Sequence, residues 1–373
     1  MKFNRVVIKV GSALIAPDNN GCTGEHILAI ASFITECKKA GKEVILVSSG
    51  SVAAGRQLIQ HGSSAPSIRT KQAMSSVGQM QMMANWQRFF DVPCSQILIT
   101  HSDLKNRRRY INIKETIDIL LENNIIPIVN ENDTVVTKEL KVGDNDNLAA
   151  LVAGLSGADC LIILSDIDGL YDKNPKTNSD AIMLPEIKEI TPEIYAMAGT
   201  TNNPIATGGM KTKIQAAEKA IGNGIETYII NGSDNTVFDK LLNGENPGTR
   251  FAPNSDPATA RKHWLEHTLK SNGHVILDKG AINALVNEGA SLLPSGIKSV
   301  SGIQSVTGKF STGDTINIID FETKKIIAKG ICQYGYRDLS RIKGKNSDQI
   351  HNILGFCTSD VVIHRNDMVI LSN

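Results

Sequence analysis

Short, almost uninterrupted apolar runs alternate with helix-period segments through the first two-thirds of this chain. That alternation constrains the fold more than any other feature. Residues 6–8, 44–47, 96–100, 125–129, 160–164 and 227–230 read as strands, and residues 26–39, 72–90, 114–122, 148–155 and 211–221 read as helices. Apolar strands separated by helices predict a mainly parallel sheet covered on both faces. In such a sheet ligands gather beyond the carboxyl ends of the strands. The residues that follow each strand are therefore where chemistry is expected.

The pattern changes late in the chain. Asn246-Pro247-Gly248 and the stretch from Ala252 to Pro257 are rich in Pro, Asn and Ser, which marks an exit from the first domain. Beyond Gly273 the extended runs are short (274–277, 315–319 and 361–363) and glycines recur at Gly296, Gly302, Gly308 and Gly313. A small, mostly β second domain is expected there. A chain of 373 residues has room for two or three domains. The expected division is an α/β domain over residues 1–255, a linker over 256–272 with a short helix at 262–270, and a second domain over 273–373.

Charge and cysteine usage narrow the class. Lys and Arg number 39 against 38 Asp and Glu, so no global basic field draws the chain to nucleic acid or an acidic membrane. Six cysteines (Cys22, Cys37, Cys94, Cys160, Cys332 and Cys357) are spread widely, with no C-x-x-C pair. They read as reduced packing residues, so a cytoplasmic location is expected. The start of the chain lacks a signal-peptide core because Lys9 interrupts the first apolar run, and no apolar run is long enough to span a membrane.

Five segments carry candidate chemistry. Lys9-Val10-Gly11-Ser12 ends the first strand. A lysine followed by Gly-Ser suits a phosphate cradle, in which glycine lets backbone N–H groups approach and lysine supplies charge. A solvated lysine beside an ordinary turn is an equally good reading, and the P-loop pattern is missing. Ser48-Ser49-Gly50-Ser51 follows the second strand. It suits an anion pocket at a helix N-terminus, although a cap made by Ser49 or Ser51 is the favoured reading of that segment alone.

Asn130-Glu131-Asn132-Asp133 follows the strand at 125–129, where two carboxylates and two amides suit an amino-acid head group better than a plain polar turn. Gly143-Asp144-Asn145-Asp146-Asn147 opens a helix. Capping and the helix dipole account for one Asp there, but less well for two Asp and two Asn in succession. Finally, Thr207-Gly208-Gly209-Met210-Lys211-Thr212-Lys213 enters a helix. Lysines are unfavourable beside the positive helix end unless an anion offsets them, so a nucleotide phosphate chain is favoured over a solvated loop.

Together these segments resemble the amino-acid kinase family, in its branch that acts on glutamate. Val47 to Gly50 with Ala53-Ala54-Gly55-Arg56, and Leu164-Ser165-Asp166 with Gly169-Leu170-Tyr171, add to the match. The C-terminal part, with residues 289–297 and His364-Arg365-Asn366-Asp367-Met368, resembles a PUA domain. The resemblance covers essentially the whole chain. One departure is Ser165, where relatives often have Thr; a hydroxyl is kept.

The resemblance implies a three-layer αβα sandwich that binds ATP, Mg²⁺ and L-glutamate and makes L-glutamyl 5-phosphate for proline synthesis. It implies that Lys9 and the segment Thr207, Gly208, Gly209, Met210, Lys211, Thr212 and Lys213 bind ATP phosphates. Ser165 and Asp166 would line the nucleotide site. Ser49, Asp133 and Asn145 would bind glutamate, and Asp146 would organise the catalytic lysines Lys9 and Lys213. It further implies feedback inhibition by proline, a homo-oligomer (tetramer or dimer), and handover of the product to glutamyl phosphate reductase.

The chemistry of that reaction is consistent with these residues. A glutamate side chain titrates near pH ~4.3, so the nucleophile is already ionised at neutral pH and needs no general base. What remains is to neutralise charge and hold the atoms in line. Lys9 and Lys213 are the candidates for neutralisation, with Asp146 and Asp144 as their organisers. Mg²⁺ is expected to bridge β and γ oxygens with few direct protein ligands. Asp133 is expected to pair with the substrate ammonium.

Two rival functions are weighed against this one. An RNA-binding protein built on the PUA module is weakly supported. Residues 273–373 carry 11 Lys and Arg against 9 Asp and Glu, and the local basic clusters, Lys324-Lys325 and Arg341 to Lys345, read as solvated faces. An amino-acid kinase acting on acetylglutamate, aspartate or uridylate fits the Asn130-to-Asp133 cluster and the PUA-like tail less well.

Overall fold

The computed structural model describes residues 3–17, 21–60, 65–135, 145–175, 177–198, 209–253, 271–302 and 310–371. Contacts divide the chain into two compact units, Met1–Asn106 with Asn112–Pro257, and Arg107–Ile111 with Ala258–Asn373. The expected linker helix at 262–270 lies outside the described residues.

The first unit is built on an eight-stranded sheet. Its strands are β1 (Arg5–Val10), β2 (Glu43–Ser48), β3 (Cys94–Ile99), β4 (Ile126–Glu131), β5 (Cys160–Ser165), β6 (Glu186–Ile187), β7 (Glu226–Asn231) and β8 (Thr249–Phe251). Their order is β3-β4-β2-β1-β5-β7-β8-β6. The first six in that order pair parallel, while β8 runs antiparallel to β7. Strand β1 lies centrally, with β2 on one side and β5 on the other. The strand order therefore reverses at β1, and the carboxyl end of β1 is where a sheet of this kind forms its ligand crevice.

Strand alternation decides which residue faces which layer. Val6, Ile8 and Val10 join Val44, Leu46, Ile162 and Leu164 in a core under Ile30, Phe33 and Ile34 of the helix Ile27–Lys39, with Trp86 and Phe238. Each fully buried side chain of this kind stabilises the fold by about 1.5–3 kcal/mol. Val7 and Lys9 point to the opposite layer, which contains the helices Asn145–Ser156 and Met210–Gly222. Lys9 is the last residue of that face before the sheet ends, so its side chain is buried with the ammonium at the sheet's carboxyl end.

Three helices start earlier than their apolar period suggests. They run over Ile68–Gln87, Arg107–Glu122 and Asn145–Ser156, because polar first turns carry no periodic signal. The first is capped by Ser67, whose side chain accepts from the Thr70 N–H.

The second unit holds a five-stranded sheet of β9 (Gly273–Leu277), β10 (Ile297–Gly302), β11 (Thr315–Asp320), β12 (Ile326–Ile331) and β13 (Met368–Ile370). Their order is β10-β9-β11-β12-β13, antiparallel except for the β9–β11 pair. Helices Lys279–Val286, Tyr336–Ile342 and Ile350–Leu354 also belong to this unit. The strand expected at 361–363 is not one. Val362 and Ile363 are buried in the core, and Ile363 makes only an isolated bridge to Leu292, so burial rather than strand pairing explains the apolar run. Among the described residues no helix is long and apolar enough to cross a membrane.

Candidate active site

Asp146 is the centre of the crevice. It lies in the first turn of the helix Asn145–Ser156 and is fully buried. Lys9 Nζ lies 2.5 Å from its Oδ1, and Lys213 Nζ lies 3.2 Å from its Oδ2. The Thr212 hydroxyl donates to Oδ2 at 2.9 Å. Burial by itself would push the Asp146 carboxyl up. The two ammonium charges, with the Thr212 hydrogen bond, overcome that and hold it well below the usual carboxylate range.

The charge arithmetic points to an anion. Lys9 is 6% exposed, Lys213 is 5% exposed, and among the described residues Asp146 is the carboxylate that meets either of them. Two buried ammoniums against one carboxylate leave one positive charge uncompensated, and buried charge is costly without a partner. The helices Asn145–Ser156 and Met210–Gly222 both begin here, and their unpaired N–H groups add positive potential. Gly209 precedes the second helix in extended conformation, with no side-chain cap and no acidic residue in the first turn. Lys211 is exposed, while Gly209 and Met210 are half-buried. Thr207, Gly208 and Asp144 lie outside the described residues.

Glycine at position 11 serves close packing at this point. Its N–H donates to Leu164 O at 3.2 Å, so that amide is committed to the sheet rather than to a phosphate. A Cβ there would stand 3.3 Å from the same carbonyl and 3.6 Å from Lys9 Nζ. Ser165 ends β5 and Asp166 follows it, with the Ser165 hydroxyl donating to Asp166 Oδ1 at 3.1 Å, Ser165 buried and Asp166 exposed.

A second polar cluster occupies the ends of β2 and β4. Asn145 Nδ2 donates to Ser48 O at 3.2 Å and to Asn130 Oδ1 at 2.8 Å. Asn130 in turn donates to Gln79, and Gln79 to Gln96. Asp133 Oδ2 accepts from the Ser51 hydroxyl at 3.1 Å, with Ser75 Oγ 3.3 Å away. Ser49 is half-buried, and its N–H donates to Val10 O. The cap expected from Ser49 or Ser51 is absent. Gly50 is the N-cap of the helix Ser51–Ala54, at φ +102°, and the Ser51 hydroxyl turns to Asp133 instead.

The crevice thus joins two groups of residues. Lys9, Asp146, Thr212 and Lys213 form one, and Asn145 ties the same helix start to Ser48 and Asn130 of the other. Ser75, Gln79 and Gln96 were not among the sequence candidates. The available signal was polar residues inside the buried stripe of the helix Ile68–Gln87, where Ser75, Gln79 and Asn85 interrupt Met74, Met82 and Trp86. Asn147 is buried and accepts from Lys219, so the Asp-Asn-Asp-Asn run divides among separate tasks. Among the described residues no group of three His, Cys, Asp or Glu side chains is placed to hold a metal ion.

Residues 4–231 match the Amino acid kinase family, and residues 273–354 match the PUA domain. The chain is similar to the glutamate 5-kinase of Idiomarina loihiensis, at 49% identity over 100% of this chain and 98% of that one. It is 50% identical to the glutamate 5-kinase of Salinibacter ruber, over 99% of this chain and 97% of that one. It is 51% identical to glutamate 5-kinase 1 of Pseudoalteromonas translucida, over 90% of this chain and 89% of that one. With a likeness that runs from end to end, the chain belongs to the amino acid kinase family, in the form that continues into a PUA domain.

Proposed function

We propose that this protein transfers the γ-phosphoryl group of ATP to the side-chain carboxylate of L-glutamate, forming L-glutamyl 5-phosphate, the first step of proline biosynthesis from glutamate. The observation that carries the reading is the buried excess of positive charge at Lys9 and Lys213, shared by one carboxylate at two helix starts. That arrangement suits a polyphosphate chain.

In the reaction a carboxylate oxygen of glutamate forms a bond to the γ-phosphorus. The bond from that phosphorus to the bridging oxygen breaks, and ADP leaves with the electron pair. No proton moves, so Asp146 acts as an organiser. Held ionised, it fixes both ammonium groups where negative charge develops on the transferring phosphoryl. Thr212 keeps the Asp146 carboxylate oriented, Gly209, Met210 and Lys211 line the phosphate path, and Thr207 and Gly208 are assigned to the same phosphates from the sequence. Ser165 and Asp166 border the nucleotide. Ser49 holds the carboxylate end of the substrate and Asp133 its ammonium, while Asn145, whose side-chain N–H groups go to Ser48 O and Asn130 Oδ1, offers the substrate its Oδ1.

Mg²⁺ fits this site through the nucleotide, because the side chains facing the crevice are mostly ammoniums and amides. It would rest on phosphate oxygens and water and lower their charge. Proline as a competing inhibitor near the glutamate residues, a dimer or tetramer, and handover of the labile acyl phosphate to glutamyl phosphate reductase extend the same reading.

The test is a hydroxylamine trap run beside an ADP-release assay with glutamate, aspartate, N-acetylglutamate and UMP. Hydroxamate and ADP are expected with glutamate. ADP release with aspartate or UMP alone would sink the substrate assignment.

A further inference from the structure

Asp133 does not meet the crevice unaided. Ser51 Oγ lies 3.1 Å from its Oδ2, and Ser75 Oγ lies 3.0 Å from Ser51 Oγ and 3.3 Å from the same Oδ2. Ser51 and Ser75 are 2% and 4% exposed, so water does not satisfy them and these bonds are their outlet. Each hydroxyl has one proton to give. Ser51 donates to Asp133, and Ser75 donates either to Ser51 or directly to Oδ2. Among the described residues no donor meets Oδ1 of Asp133.

Two glycines allow this arrangement. A Cβ on Gly78 would stand 1.9 Å from Ser51 O, and one on Gly55 would stand 2.0 Å from Met74 O. The helices Ser51–Ala54 and Ile68–Gln87 therefore pack backbone against backbone. That approach carries Ser75 to within hydrogen-bonding distance of Ser51, 24 residues away along the chain.

We infer that Ser75, acting through Ser51, is a positioning residue for substrate recognition: the two hydroxyls bind Oδ2 of Asp133 so that Oδ1 is presented to the α-ammonium of the acceptor. The inference rests on the reading of Asp133 given above. It assigns to the serine pair a part of the preference for an acceptor that bears an ammonium, and no part of phosphoryl transfer.

The test compares L-glutamate with glutarate, which has the two carboxylates but no ammonium. In Ser75→Ala, KM for glutamate is expected to rise about twofold to tenfold, the range set by losing one net hydrogen bond. The kcat, and KM for glutarate and for ATP, are expected to stay at wild-type values. Ser51→Ala is expected to show the same split. Adding Ser75→Ala to Asp133→Ala should raise KM for glutamate no further, since the pathway is already cut.

An equal rise for glutarate in both serine variants would overturn the inference, because a packing defect affects both acceptors. An unchanged KM for glutamate would overturn it as well. If the wild-type protein forms no hydroxamate from glutamate, the proposed activity itself fails. If it does and the serine variants lack the split, only this inference fails.

Discussion

Lys213 Nζ stands 3.2 Å from Asp146 Oδ2, although 67 residues separate the two along the chain. Lys9, farther still in sequence, closes on the other oxygen at 2.5 Å. A single buried carboxylate therefore sets the spacing of two ammonium groups, one from a strand and one from a helix.

Removing that carboxylate is expected to damage both activity and stability. Asp146→Asn leaves two buried ammoniums without a counter-charge, which costs about 3–5 kcal/mol of stability. The kcat is expected to fall by about 100-fold or more, as when a preorganised electrostatic group is lost. Urea denaturation and steady-state kinetics check the two effects separately.

The same pair has a signed pH dependence. Burial pushes the Asp146 carboxyl up, but Lys9 and Lys213 hold it below its ordinary range. The unfolded chain, with Asp near ~3.9, therefore takes up the proton more readily than the folded one. The stabilisation is complete above about pH 4 and is lost as the pH falls from there toward the lower folded value. The stability gap between wild type and Asp146→Asn should be flat from about pH 8 to 5.5 and narrow only below about pH 4. Narrowing already near neutrality would contradict the depressed carboxyl.

Lys213→Ala is expected to lower kcat by about 100-fold to 1,000-fold while the protein stays folded. Asp146 keeps Lys9 and Thr212, so the remaining charge is still paired. Lys213→Arg should not restore turnover, because a planar fork does not reproduce a point charge in a buried site. Near-normal kcat in Lys213→Ala would remove this residue from the mechanism.

Asp133→Ala is expected to raise KM for glutamate about tenfold to 100-fold, as for loss of a hydrogen bond to a charged group, and to leave KM for ATP alone. An unchanged KM for glutamate would reassign Asp133.

Gly78→Ala tests the close helix approach. Its Cβ would collide with Ser51 O at 1.9 Å, and backbone cannot yield as a side chain can. A stability loss of about 1–3 kcal/mol or more is expected from overpacking, with weakened glutamate binding as Ser51 is displaced. Thermal denaturation of a variant as stable as wild type would show that the helices can part freely.

The cysteines are expected to differ sharply in reactivity. Burial pushes the Cys37 and Cys332 thiols up to about 12 and Cys94 up to about 11. Cys160 is fully buried and raised well above its ordinary value. Cys357 is exposed. Alkylation of the native protein should therefore label Cys357 first, as peptide mapping would detect. Fast labelling of Cys37 would imply that the core under β1 opens readily.

Several elements were legible because their signals are local. Apolar strands and helix periods depend on residues next to one another, so β1, β2, β4, β5 and β7 could be located from the chain. Burial misled at 361–363, where an apolar run marks a core-facing loop rather than a strand. Candidate site groups were legible where they end a strand, as at Lys9 and Asn130. The signal was faint at Ser75 and Gln79, which lie mid-helix, because its local part is a polar residue inside an apolar stripe and the partners are distant in sequence.

The linear order of residues determined the alternating architecture, the near-zero net charge and the clusters that end each strand, since each follows from composition or short-range pattern. The grouping of Asp146 with Lys9 and Lys213 was implied by the family resemblance, but tertiary structure alone decided its geometry, that the Gly11 amide would serve the sheet, and that Ser75 would reach Ser51 across two glycines. Those relationships depend on strand order and on backbone approach between helices. Both are set by how layers pack, and neither leaves a signature in the spacing of residues along the chain.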